Sequence, residues 1–267
     1  MKDYVHGYSE REAIRLVDQA SSVRDLFHHD TTYPPRSLVL EAGCGVGAQT
    51  VTLATNCPDA TIVAADIAAD SLGKAKAIVE EERHNNVHFE RADVFALPHS
   101  EETFDHVWVC HLLEHLSRPV DALERLGRVL RADGTMTVIE GDHGSCYFHP
   151  ETKDALRAWR SLIRVQASLG GNSLIGRELF PVLSRAGFSG IRVSPRMVYM
   201  DRSKPMLMDG FVRRTIIPMV EGVREMALQM GLLDESGWDR GIRDLHAVAD
   251  RDDGTFCYTF FKAVASK

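Results

Sequence analysis

The stretch that most constrains how this chain folds is Leu38 to Ala48, which reads LVLEAGCGVGA. A short apolar run, Leu38 to Leu40, lies between Pro34 and Pro35 upstream and three glycines downstream, the pattern of a buried strand entering a tight turn. The following AQTVTLAT, Ala48 to Thr55, carries apolar residues at helical spacing, so the unit is strand, glycine turn, helix. Gly43, Gly45 and Gly47 let the backbone turn sharply and approach a ligand with no Cβ in the way, while the first amides of the helix point to the same place. Such a turn takes a nucleotide-like molecule. Gly43, Gly45 and Ala48 also satisfy the GxGxxG/A pattern of dinucleotide sites, so the glycines alone leave the ligand open.

Glu41 narrows the choice. A carboxylate two residues before the first glycine repels a pyrophosphate and attracts a ligand with a free ammonium. S-adenosylmethionine has that ammonium, a sulfonium and no phosphate. Asp66 ends a second β-rich run, Thr61 to Ala65, about 20 residues beyond the glycines, where a carboxylate accepts both ribose hydroxyls.

Strands and helices then alternate. A helix is expected over Asp70 to Arg83, a strand over Asn86 to Glu90, a strand over Phe104 to Cys110, and a helix from Pro119 to Leu130 that stops at the turn Ala132-Asp133-Gly134. A fifth strand follows over Thr135 to Ile139. This rhythm predicts an α/β fold with a parallel sheet covered on both faces and its ligand beyond the strands' carboxyl ends. Glu41, Asp66, Asp93, Cys110, His111 and Glu140 all fall at such ends. Upstream, Ser9 and Glu12 form a capping box for a helix to His29, preceded by Tyr4 to Tyr8, a segment suited to closing over a site. Downstream, helices are expected over Lys153 to Leu169, Ile175 to Ala186 and Trp238 to Val248, with a methionine-rich apolar stretch from Met206 to Met230 broken at Pro218. Strands are expected over Gly190 to Tyr199 and Thr255 to Ala263.

Taken together, EAGCGVG, Asp66, ADVFALP, FDHVWVCHLLEHL and VLRADGTMTVIEG resemble the successive motifs of the class I S-adenosylmethionine-dependent methyltransferase family, over roughly Pro34 to Gly141. The resemblance implies a Rossmann-like, seven-stranded, mostly parallel sheet with helices on both faces, whose last strand, TFCYTFFKA, runs antiparallel beside the fifth. It implies that Asp93 meets the adenine amino group. The cofactor-binding set it suggests is Glu41, Gly43, Cys44, Gly45, Gln49, Asp66, Ile67, Asp93, Val94, Cys110 and His111, with no metal. The expected organisation is a single methyltransferase domain over 1–267: an N-terminal helical lid at 1–30, a cofactor core at 34–141, and substrate-side helical insertions forming a cap at 142–175 and 203–252.

Methyl transfer is an in-line displacement, so the protein mainly aligns, excludes water and, where needed, supplies a base. The polar run Glu140 to Pro150, EGDHGSCYFHP, follows the fifth strand, and Glu140, Asp142 or His143 is expected to orient or deprotonate the acceptor, helped by Tyr8 or Tyr147. A net charge of −7 and the lack of a basic stripe argue against nucleic acid, and no apolar run is long enough for a membrane span. The expected acceptor is therefore a small organic molecule, most plausibly a natural product of specialised metabolism, methylated at oxygen, nitrogen or an electron-rich ring carbon of the phenol or indole type. Five cysteines without CxxC spacing fit a reducing, cytoplasmic setting. The apolar inserted helices suit an interface between copies of the chain as well as a lid. Three rival readings stand beside this one: a cofactor-binding regulator without turnover, an NAD-dependent oxidoreductase, and a zinc peptidase, since HLLEH satisfies HxxEH with both imidazoles on one helical face.

Overall fold

The computed structural model describes residues 10–267, with Arg11 described by its backbone alone. In chain order the elements are α1 (Glu10–His28), β1 (Leu38–Ala42), α2 (Thr50–Asn56), β2 (Thr61–Asp66), α3 (Ala69–Glu81), β3 (Val87–Arg91), β4 (Phe104–Cys110), α4 (Pro119–Val129) and β5 (Leu130–His149). After them come α5 (Lys153–Ser168), α6 (Leu179–Arg185), β6 (Ser189–Met200), α7 (Pro205–Leu207), α8 (Ile217–Glu221), α9 (Arg224–Gln229), α10 (Glu235–Asp250) and β7 (Thr255–Ser266). The chain divides into two compact units. The core unit comprises Arg24–Gly141, Ile175–Arg196 and Phe260–Lys267; the helical unit comprises the described residues up to Val23, with Asp142–Leu174 and Met197–Thr259.

The core unit is built on a seven-stranded sheet in the order β3-β2-β1-β4-β5-β7-β6. The pairs β3/β2, β2/β1, β1/β4 and β4/β5 are all parallel, and β7 stands next to β5 as the resemblance implies. The inner strands of this set carry long apolar runs because helices cover the sheet; Leu40, Val107, Val109, Met136 and Val138 are fully buried. On α4, Pro119 opens the helix where its missing N–H costs nothing, and Ala122, Leu123, Leu126 and Val129 form its buried face. Register brings Ala42 level with Ala65 and Val109, and Cys110 level with Ile139, so the strands' carboxyl ends lie in a row.

β5 corrects the sequence reading at both ends. Leu130 already pairs with Phe104, and the register then shifts so that Thr135 pairs with His106. The Ala132-Asp133-Gly134 turn is thus an irregularity within the strand rather than a loop before it. Beyond Ile139, where the fifth strand is expected to end, the polar run Glu140 to His149 continues it as strand. Its signal is a period of two, Cys146 and Phe148 buried against Tyr147 and His149 exposed, hidden behind Gly-Asp-His-Gly-Ser. The expected helical insertion from residue 142 therefore starts with eight residues of strand.

In the helical unit, Thr152 caps α5 by accepting from the Ala155 amide at 3.1 Å, and Asp234 caps α10 by accepting from Gly237 at 2.7 Å. The methionine-rich stretch is wound more widely than an α-helix over Met208–Ile216 and becomes α-helical again at α8, where Pro218 sits in the first turn and supplies no amide donor.

Candidate active site at the strand ends

Glu41 lies on β1, level with Ala64 on β2 and Trp108 on β4, and is 2% exposed. Its Oε2 is buried without a hydrogen-bonding partner. Burial pushes its pKa up to about 7, the Thr50 hydroxyl opposes that rise, and the Asp66 charge adds to it. The following turn is held by the amides of Gly43 and Cys44, which donate to Ala65 at 2.8 and 3.0 Å, and by Gly47, which donates to Cys44 at 2.9 Å. Gly45 has φ +54 with open space where a Cβ would stand, and Gly47 has φ +81 with Ala75 of α3 2.9 Å from that position. Asp66 ties the turn to β2: its Oδ2 accepts from Gly45 at 2.9 Å and its Oδ1 from Ala68 at 2.8 Å. Each oxygen keeps a second lone pair for a ligand hydroxyl.

At the ends of β4 and β5, Glu140 is fully buried, and its Oε1 accepts from the amides of Leu112 and Leu113 at 3.0 and 2.7 Å. It thereby braces the turn after β4, and burial beside Glu114 drives its pKa well above the carboxylate range. His111 takes φ +53, its amide donates to Ile139, and its ring packs against the touching pair Phe27 and Phe260, 5.6 Å from each centroid. This backbone outlier corrects the peptidase expectation: the left-handed residue ends β4, and only a single 3-10 turn, Leu113–His115, follows, so HLLEH never forms the helical face that pattern needs. Burial raises the thiols of Cys44 and Cys110, so both are protonated at neutral pH.

Gln49 Oε1 accepts from Nε2 of His28 at 2.7 Å, and His28 stacks on Trp108 with ring centroids 5.0 Å apart. His28 was not legible as part of this site, because it owes its place to tertiary packing. Asp93 turns the chain after β3 by accepting from the Phe95 amide at 2.9 Å, with Val94 half-buried beside it, and Ile67 is exposed.

The remaining expected residues belong to the helical unit. His143 is buried, with Nδ1 2.7 Å from the Tyr258 hydroxyl and its ring stacked on Trp159. Asp142 is buried and accepts from the Gly144 amide and the Ser145 hydroxyl within β5, while Tyr147 is 65% exposed. Tyr8 and Ser9 lie outside the described residues.

Comparison with known proteins agrees with this geometry. Residues 39–134 match the family described as a methyltransferase domain. An uncharacterised methyltransferase of Schizosaccharomyces pombe is 29% identical over 147 residues, 53% of this chain and 52% of that protein. The 27-O-demethylrifamycin SV methyltransferase of Amycolatopsis mediterranei is 27% identical over 138 residues, 50% of this chain and 49% of that protein. The matched stretches span about half the length of these curated relatives. Among solved structures, a phosphoethanolamine N-methyltransferase of Haemonchus contortus, complexed with phosphomonomethylethanolamine and S-adenosylhomocysteine, shares the fold with TM-score 0.58 at 14% identity, over 96% of this chain and 57% of that one.

Proposed function

From the premise that residues 39–134 form a class I methyltransferase domain, we propose that this chain transfers a methyl group from S-adenosylmethionine to a small organic acceptor. The observation that carries the reading is Glu41: a buried carboxylate with an unpartnered oxygen, set beside a glycine turn open to a ligand. A pyrophosphate would meet repulsion there and an ammonium attraction, which favours this cofactor over NAD. S-adenosylmethionine, when bound, supplies a methyl group on a positively charged sulfur. Glu41 would hold its ammonium, Asp66 its ribose hydroxyls through the lone pairs left after bracing Gly45 and Ala68, and Asp93 its adenine amine.

The acceptor is a natural-product-like molecule taking the methyl group at oxygen, nitrogen or an electron-rich ring carbon. Support comes from the rifamycin relative, whose name states a small-molecule acceptor, and from the chain's net charge of −7, which disfavours polyanions. Acceptors of this kind lose a proton as the methyl group arrives, and His143, held by Tyr258, is the base we assign, with Tyr8 and Tyr147 as acceptor contacts. Among the described residues, no helix is long and apolar enough to cross a membrane, and the five cysteines stand as free thiols, which supports a reducing, cytoplasmic setting.

Calorimetry with S-adenosylmethionine and S-adenosylhomocysteine tests the cofactor, and release of S-adenosylhomocysteine across a panel of phenols, indoles and amines tests turnover. Binding with release is expected. Binding without release across the panel favours the regulator, and no binding overturns both.

A further inference from the structure

Within the core unit, His111, Glu114 and Glu140 each offer one ligand atom, and these atoms lie within 4.8 Å of one another. Glu114 and Glu140 are buried, at 7% and 0% exposure. While Oε1 of Glu140 holds two amides, its Oε2 is buried with no hydrogen-bonding partner. The Nδ1 of His111 stands 3.8 Å from Oε1 of Glu114, longer than a hydrogen bond and close to the spacing of two ligands on one ion.

We propose that His111, Glu114 and Glu140 form a binding site for a divalent first-row transition cation, with zinc as the best-fitting ion. One imidazole and two carboxylates make a mixed nitrogen and oxygen donor set, which suits zinc over the all-oxygen preference of magnesium and calcium. Metal–ligand bonds of about 2.0–2.2 Å hold tetrahedral donors about 3.4 Å apart, so the His111–Glu114 pair at 3.8 Å closes by a few tenths of an ångström on metal binding and Glu140 draws in from within 4.8 Å. The backbone amides on Oε1 of Glu140 fix that carboxylate as an outer shell would, and the left-handed backbone at His111 turns its ring toward the same point. The Nε2 of His115 stands 3.7 Å from the same Glu114 oxygen.

The test is independent of methyl transfer. Full-length protein is stripped with a chelator, checked for folding by circular dichroism, and titrated by calorimetry with zinc chloride and, separately, with magnesium chloride. One tight equivalent of zinc is expected, with binding at least ~10-fold weaker in both Glu140→Gln and His111→Asn, a loss no smaller than that from removing an outer-shell partner. Asn tolerates the left-handed backbone at position 111, so that variant keeps the test open if Glu140→Gln does not fold. Wild-type protein that takes up no zinc, that prefers magnesium, or whose zinc isotherm is unchanged in His111→Asn overturns the proposal.

Discussion

At the scale of single residues, two buried groups of the core unit titrate in opposite senses. Burial raises Glu41 from 4.5 to about 7, so the folded state binds its proton more tightly than the unfolded chain; this stability is complete below pH 4.5 and is lost as pH rises through about 7. Burial lowers His28 from 6.5 to about 4, so its contribution is complete above pH 6.5 and is lost as pH falls through about 4. Each shift corresponds to at most about 3 kcal/mol. Because the windows overlap and the magnitudes match, wild-type stability is expected to change little between pH 4.5 and 6.5 from these two groups. Urea unfolding across that range checks this: Glu41→Gln should unmask a loss of stability on acidification, and His28→Gln a loss on going toward neutral pH. Parallel slopes in wild type and both variants would refute the assignment. The position of Glu41 was legible because it stands two residues before a glycine turn. The partnership of His28 with Gln49 was not, since nothing in the spacing of α1 says which strand its last turn meets.

At the scale of elements, glycines in helices separate two effects that sequence alone confounds. In α10, a Cβ at Gly241 would stand 2.6 Å from the Asp154 carbonyl oxygen and 2.9 Å from the Ala158 Cβ on α5, so the two helices pack through this bare position. Alanine there gains about 1 kcal/mol of helix propensity but forces the backbones apart, a cost of typically about 1–3 kcal/mol, and the clash with a backbone atom decides the sign. Gly241→Ala should lower the unfolding midpoint. Gly73→Ala in α3, where a Cβ meets nothing within 4 Å, should raise stability by about 0.5–1 kcal/mol. Chemical denaturation of both variants reads the contrast, and two shifts of the same sign would show that propensity alone governs. The same scale shows why half the chain was readable. In β1 and β2, apolar runs end at a carboxylate or a glycine, and one pattern marks both the strand and its functional end. In β5, the glycines that normally signal a stop fall once at an irregularity, Gly134, and twice inside the strand, Gly141 and Gly144, and so hide its continuation past Ile139.

For the molecule as a whole, cofactor binding must appear as stability. A ligand that binds only the folded state stabilises it by RT ln(1 + [L]/Kd), about 2.7 kcal/mol at a hundredfold excess over Kd. S-adenosylhomocysteine is therefore expected to raise the thermal midpoint by several degrees. Its ammonium favours ionised Glu41, so binding displaces that residue's proton. Affinity then rises with pH until Glu41 is ionised in the free protein, near pH 7. The thermal shift should accordingly rise with pH and level off above about pH 7, and Glu41→Gln should flatten that rise. Scanning calorimetry with and without ligand from pH 5 to about 8, a range that brackets the Glu41 titration, distinguishes this from a ligand held through its adenosine alone, which would give a shift independent of pH in wild type and variant alike.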